Sequence, residues 1–325
     1  MKILLTGGAG FIASHVADAY IAAGHTVAII DNLSSGERKN LNPKAKFYRA
    51  DIRNLPALLK IFKKERPDAV NHHAAFISVT DSVKKPAETF EINAAGTLNV
   101  LLAAASANAK KFIFSSTGGA IYGDPKKLPA TEATPPHPLS PYALTKLVDE
   151  ELIKYFGEAY RLNYTILRYA NVFGPRQKAQ AGAGIFPIFM GEMKKKVRPY
   201  IFGDGKKSRD YVYVGDVARA NVLALARGSR ETINICTNRQ ITDQQVYDAI
   251  AKAMGFKQTA TYRPRREGEV EHMAMSWAKA KKILGWRPMV KFEDGVRKTI
   301  AGSAGASNNS PKATSLIGFS RRRRY

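Results

Sequence analysis

Cysteine is almost absent from this chain of 325 residues. Cys236 stands alone, which excludes an intramolecular disulfide, and nothing around it has metal-ligand spacing. Acids are also scarce, with 27 Asp and Glu against 51 Lys and Arg. No apolar run is long enough to cross a bilayer, and Met1–Thr6 leads straight into glycines without the apolar core and cleavage site of a secretory leader. The expectation is a cytoplasmic protein in a reducing compartment, with no membrane partner. The six histidines form no ligand constellation, so no metal is expected. What remains is the composition of an ordinary folded protein, 45% hydrophobic and 24% charged, long enough for two domains or one large one.

A net charge of +24 concentrates polyanions such as phosphates, nucleic acid or anionic lipid near the surface, but it says nothing about fold. Lys312 and Arg321–Arg324 supply five of these charges within 301–325, a stretch with no acid; the body is basic without them.

Residues 2–6 form a short apolar strand that Gly7-Gly8-Ala9-Gly10 breaks. From Phe11 to Ala23 apolar residues recur at helical spacing, and Gly24 follows as a C-cap. A second buried strand, Thr26–Ile30, closes on Asp31. Further β-like runs at 46–50, 68–71, 111–115 and 164–168 alternate with helical stretches at 54–65, 88–108 and 141–162. That alternation predicts an α/β fold with a parallel sheet covered on both faces. Beyond about residue 170 glycine and proline loosen the rhythm, which predicts a smaller α/β region. The segment after Ala301, rich in Ser, Ala, Gly and Asn, reads as disordered.

Chemistry enters at the first turn. Gly8-x-Gly10-x-x-Ala13, also readable as Gly7-x-x-Gly10-x-x-Ala13, joins a strand to a helix. Glycines there let the backbone approach a pyrophosphate, and the helix N-terminus offers its free N–H groups to the anion. Asp31, at the end of the second strand and 24 residues after Gly7, can accept from both adenosine ribose hydroxyls. A carboxylate there repels a 2′-phosphate, so the expected cofactor is NAD rather than NADP. The alternative is a plain connecting turn with a solvated acid.

Ser140 and Pro141 open a helix as N-cap and first residue, and the i, i+4 spacing puts Tyr142 and Lys146 on one face. A tyrosine is a poor base at neutral pH, but a nearby ammonium and a cationic nicotinamide both favour its phenolate. The strand 111–115 runs into Ser115-Ser116-Thr117-Gly118-Gly119-Ala120, and a hydroxyl at a strand's carboxyl end lies where open α/β sheets bind ligands. Thr117 can relay a proton to Tyr142. The bland alternative is a set of turn-capping hydroxyls beside a packed ring.

These segments, with Asp31-Asn32-Leu33-Ser34-Ser35, Asp51-Ile52 and Leu167-Arg168-Tyr169-Ala170-Asn171-Val172-Phe173-Gly174-Pro175-Arg176-Gln177, resemble the extended short-chain dehydrogenase/reductase family, and within it the epimerases of UDP-glucose and UDP-galactose. The likeness runs over about 1–300. It implies a Rossmann-type doubly wound sheet for NAD over 1–172, with a later return at about 211–235. It further implies a C-terminal α/β substrate domain over 173–300 and a basic tail at 301–325.

By the same resemblance the chain is an isomerase that inverts C4 of a UDP-hexose through a 4-keto sugar. Tyr142 is the base, with Lys146 holding the nicotinamide ribose and lowering the tyrosine pKa. Thr117 fills the family's Ser/Thr position, and Ser116 is the alternative. Gly7, Gly10, Phe11, Ile12, Asp31, Asn32, Ser35, Asp51, Ile52, Ala74, Ala75 and Asn93 would hold the cofactor; Asn171, Arg209, Arg266 and Glu269 would hold the sugar nucleotide.

The chain departs from the family pattern at three places: Ala13 replaces a glycine, Ile77 replaces a cofactor-contacting lysine of some epimerases, and the tail after Ala301 does not resemble the family's final helix. Met273 sits where family members tune acceptance of N-acetylated sugars. Gly118-Gly119-Ala120 lacks the Asp-Glu pair of the dehydratases. An apolar helix at 91–105 implies a homodimer. Epimerisation of UDP-glucuronate or another sugar-nucleotide modification stays open, as does a dinucleotide-fold protein that binds nucleic acid, against which the Thr117, Tyr142 and Lys146 set argues.

Overall fold

The computed structural model describes residues 1–179, 184–265 and 270–304. Six strands alternate with helices as their apolar patterning requires: β1 (Lys2–Thr6), β2 (Thr26–Asp31), β3 (Lys46–Arg49), β4 (Ala69–His72), β5 (Lys111–Thr117) and β6 (Asn163–Tyr169). After them come the short β7 (Asn171–Phe173), β8 (Tyr200–Phe202), β9 (Ser208–Arg209) and β10 (Tyr211–Tyr213), then β11 (Glu231–Ile235), β12 (Ile241–Thr242) and β13 (Thr261–Arg263). Seven of these form one parallel sheet in the order β11-β6-β5-β4-β1-β2-β3. The order reverses between β1 and β4, and the carboxyl ends flanking that reversal open the crevice where such sheets bind ligands.

The helices are α1 (Phe11–Ala22), α2 (Leu55–Glu65), α3 (Val79–Lys84), α4 (Pro86–Phe90), α5 (Gly96–Ser106), α6 (Gly118–Ile121), α7 (Pro141–Ala159), α8 (Ile185–Lys194), α9 (Val214–Ala224), α10 (Asp243–Met254), α11 (Ala278–Leu284) and α12 (Phe292–Ala304). Alternation along β1 shows how both sheet faces are covered. Ile3 and Leu5 face Val16, Ala17 and Tyr20 of α1 and Ala218 of α9, whereas Leu4 faces the layer of Leu58, Leu101 and Ile153 from α2, α5 and α7. The chain leaves the sheet after β6 and returns through α9 and β11.

Outside the sheet, β7 pairs with β10, β9 with β12 and β8 with β13. Phe173 stacks on Phe186 at 4.5 Å, and these rings with Tyr211, Phe189, Tyr247 and Phe292 make a separate aromatic core. Among the described residues no helix is long and apolar enough to cross a membrane.

Two boundaries differ from the sequence expectation. The helix expected over 88–108 is interrupted by a π-helical turn at Glu91–Ala95. Gly96 follows because a Cβ there would stand 2.5 Å from Ile52 Cδ1. The start of the stretch expected as a tail from 301 is helical: α12 continues to Ala304, with Thr299 Oγ1 donating to the Gly295 carbonyl at 2.7 Å and Ser303 Oγ to the Thr299 carbonyl at 2.8 Å. The rest of the tail, including Arg321–Arg324, lies outside the described residues.

Candidate active site

The turn after β1 is built for close approach. Gly7 N donates to the Ile30 carbonyl at 2.8 Å and takes φ +70°, and a Cβ on it would lie 2.8 Å from Ala74 N. Only glycine suits that position. Gly10 is the N-cap of α1 and makes no side-chain cap, so the helix offers N–H groups to an anion. Ala13 is buried against the sheet, and its methyl is accommodated.

Asp31, nearly buried, accepts from Ala9 N at 2.9 Å and from Leu33 N at 2.7 Å, which ties the turn to the end of β2. Each oxygen keeps acceptor capacity for a ribose hydroxyl. Asp51 accepts from Asn32 Nδ2 at 2.9 Å and from Arg53 Nε and Nη2 at 3.0 and 2.9 Å; the guanidinium holds its carboxyl well below the usual range.

A cleft of about 320 Å³ follows these residues. Gly7, Gly10, Phe11, Ile12, Asp31, Asn32, Ser35, Asp51, Ile52, Ala74 and Ala75 line it, as do Thr117, Tyr142 and Lys146. The glycine cradle, the free helix N-terminus and the acid beyond β2 fit a pyrophosphate and ribose in sequence. Asn93 does not line the cleft. Its amide accepts from Phe76 N at 2.7 Å and donates to the Phe76 carbonyl at 3.1 Å and to Thr145 Oγ1 at 2.9 Å, so it braces the loop after β4.

Tyr142 and Lys146 project from the first turns of α7, whose N-cap Ser140 accepts from Ala143 N at 3.2 Å. Lys146 Nζ donates to the Ser115 carbonyl at 3.0 Å and sits 4.5 Å over the Phe114 ring. The Thr117 hydroxyl faces the Tyr142 phenol and favours its ionised form. Ser116, the alternative relay, is committed elsewhere: its hydroxyl donates to Glu150 Oε1 at 2.5 Å, and Glu150 also holds Arg168 at 2.9 and 2.6 Å.

One expectation is reversed. The Tyr142 pKa is not lowered but pushed up to about 12, because burial disfavours the phenolate more than the Thr117 hydrogen bond favours it, while Asp149 raises it further. Lys146 points its ammonium at Ser115 and Phe114 and is not among the groups acting on the phenol.

On the sugar side, Arg209 is not free in the cleft. Its Nη1 donates to the Ser208 and Glu271 carbonyls at 2.8 and 3.2 Å and its Nη2 to the Val270 carbonyl at 2.7 Å, so it clamps the backbone at 270–271. Asn171 Oδ1 lies against Gly119, 3.1 Å from where a Cβ would stand. Arg266 and Glu269 lie outside the described residues.

The structure adds cleft residues that sequence reasoning left without a role. Arg176, Gln177 and Lys178 also line the cleft, with Lys178 Nζ donating to the Ser35 carbonyl at 3.1 Å. The signal was the Pro175-Arg176-Gln177 run after β7. His73 also lines the cleft, its Nε2 3.3 Å from Tyr169 Oη, and burial holds it neutral with a pKa of about 3. Its neighbour His72 is buried between Thr6 Oγ1 at 2.6 Å and Thr97 Oγ1 at 3.0 Å. Among the described residues no group of three His, Cys, Asp or Glu could hold a metal ion.

Comparison with known proteins bears on the same residues. The sequence model of the NAD dependent epimerase/dehydratase family matches residues 3–236. The UDP-glucose 4-epimerase of Thermotoga maritima, solved with UDP-glucose, is 44% identical with a TM-score of 0.92 over 95% of this chain and 100% of that one. That of Thermus thermophilus, solved in complex with NAD, is 40% identical with a TM-score of 0.89 over 94% of this chain and 100% of the other. The UDP-glucose 4-epimerase of Mycolicibacterium smegmatis is 36% identical over 308 residues, 92% of this chain and 97% of its own length.

Proposed function

The chain belongs to the NAD dependent epimerase/dehydratase family, and from that premise we propose that it is an NAD-dependent isomerase interconverting UDP-glucose and UDP-galactose by inversion at C4. The observation that carries this reading is the Thr117–Tyr142 hydroxyl pair beside Lys146, in one cleft with the glycine turn and Asp31. NAD, when bound, supplies a reversible hydride acceptor at C4 and the positive charge that a phenol raised to about 12 needs in order to ionise.

The chain's own residues handle the proton. Thr117 holds the sugar O4 hydroxyl, and Tyr142 takes its proton as the 4-keto sugar forms and gives it back as the epimer is completed. Lys146 spends one N–H on Ser115 and has two left for the nicotinamide ribose. Asp31 selects NAD over NADP, since a 2′-phosphate would face its carboxylate. Asn171, Arg266 and Glu269 contact the sugar nucleotide, and Arg209 positions the segment leading away from them. The stretch Gly118-Gly119-Ala120 offers no carboxyl to protonate a leaving hydroxyl, so elimination does not compete.

The active form is a homodimer joined through the neighbouring helices α3, α5 and α7, where Val83, Leu98 and Leu144 expose apolar side chains. The test of the reaction is NMR of UDP-galactose incubated with the purified protein and no added NAD. UDP-glucose should accumulate to an equilibrium mixture without net oxidation. UDP-galacturonate in its place should turn over more slowly.

A further inference from the structure

Asp149 has no part in the reaction as described, yet it lies one turn along α7 from Lys146 and is completely buried. Neither carboxyl oxygen has a partner with hydrogen-bond geometry. Thr97 of α5 faces it with a hydroxyl that also meets Nε2 of His72 on β4 at 3.0 Å, an imidazole that burial keeps neutral, and this hydroxyl favours the charged carboxylate less than burial opposes it. On its own helix Asp149 meets Lys146 and Glu150. Glu150 is neutralised by Arg168 of β6 and also accepts from Ser116 of β5. Among the described residues Lys146 is thus the one cation acting on Asp149, and its ammonium donates to Ser115 rather than to this carboxyl.

A carboxylate sealed from water with one hydroxyl facing it and no well-aligned donor is far costlier than the neutral acid, whose single proton asks for much less solvation. We propose that Asp149 is a positioning residue held as a neutral carboxylic acid during turnover, which keeps a negative charge away from the Tyr142 phenolate and leaves the Lys146 ammonium uncompensated for the nicotinamide ribose. The inference rests on the epimerase reading of the site. Burial pushes the Asp149 carboxyl up to about 8 against the opposing pull of Lys146, and burial likewise lowers Lys146. An ionised Asp149 raises the Tyr142 phenol further, so its ionisation above neutrality opposes the proton transfer by repelling the phenolate, and it also ties the Lys146 charge to itself.

The sign of one measurement separates this from a purely structural or counter-ion role. In the coupled pair the first proton lost at alkaline pH can leave either group. Asp149→Asn mimics the neutral acid and removes one of those two routes, so the alkaline midpoint of kcat should rise, by about one pH unit or more for groups this strongly coupled. If Asp149 were ordinarily ionised, the same substitution would strip an attractive charge from Lys146 and the midpoint would fall.

The experiment is the pH profile of kcat for UDP-galactose with the NAD-loaded parent and Asp149→Asn, with Asp149→Thr as a second non-ionisable variant. An upward shift supports the proposal. An unchanged or lower midpoint, or a parent profile with no alkaline fall, overturns it. Infrared difference spectroscopy between neutral and alkaline pH reads the same claim without turnover. The parent should show a protonated-carboxyl band that is lost on raising the pH and that both variants lack; its absence from the parent overturns the proposal. Failure of the epimerase reading would show instead as no conversion of UDP-galactose at any pH, with the infrared result still standing.

Discussion

At the scale of single residues, the chemistry narrows to the Tyr142 phenol and the hydroxyl of Thr117 that meets it. Tyr142→Phe keeps the ring and deletes the proton carrier, so kcat should fall by about 10²–10⁴-fold, the usual worth of a positioned acid–base group, while NAD content stays at the parent level. A variant within a factor of two of the parent in kcat would remove Tyr142 from the mechanism.

Buried histidines make a second prediction at this scale. His15 sits against the Pro175 carbonyl at 3.0 Å, and burial together with Arg176 lowers its pKa to about 4. A depressed folded-state pKa means that the unfolded chain binds the extra proton, so the stability is present above the unfolded value near 6.5 and is lost as pH falls toward 4. Urea unfolding should show the parent losing stability relative to His15→Gln at up to about 1.4 kcal/mol per pH unit across that window; parallel curves would contradict it. Residues whose role follows from helical period or strand ends, such as Tyr142, Lys146 and Asp31, were legible in the sequence. Asn93 was not, because its bracing of Phe76 depends on a π-turn that no local pattern announces. Neither was the direction of the Tyr142 shift, since desolvation is a property of everything packed around the ring.

At the scale of elements, α7 must hold Tyr142 and Lys146, the two side chains proposed for the reaction, steady against β5 and β6. The buried Glu150–Arg168 pair fastens it, with two hydrogen bonds from the guanidinium and one from Ser116. Glu150→Gln leaves a buried guanidinium without its countercharge and should cost about 3 kcal/mol in denaturant unfolding, because breaking one side of such a pair exposes the full desolvation penalty. A loss under about 0.5 kcal/mol would show that the pair does not secure the helix. Most elements were readable beforehand, since β1, β2, β5 and β6 are short runs rich in buried apolar residues set between helical stretches. The end of α12 was misread because Ser, Gly and Ala resemble a loop in composition, whereas here the hydroxyls of Thr299 and Ser303 bond back along the helix.

At the scale of the whole molecule, the sheet order puts the glycine turn, Asp31 and the ends of β4 and β5 around one crevice, and it was the alternation of strand and helix that forecast this. The aromatic core around Phe173 was not forecast, because its rings come from separated segments with no shared period. Leu98→Glu combined with Leu144→Glu places charge on the apolar face proposed to join two copies. The double variant should run at the monomer mass in light scattering while the parent runs at twice that; a parent already monomeric at micromolar concentration would contradict the proposed assembly.

The proposed reaction turns on a hydrogen that leaves C4 and returns to it without entering solvent. UDP-galactose deuterated at C4, incubated with the protein in ordinary water without added NAD, puts that directly to NMR. UDP-glucose should form with the deuterium still at C4, whereas product carrying solvent protium at C4, or no product at all, would contradict the account.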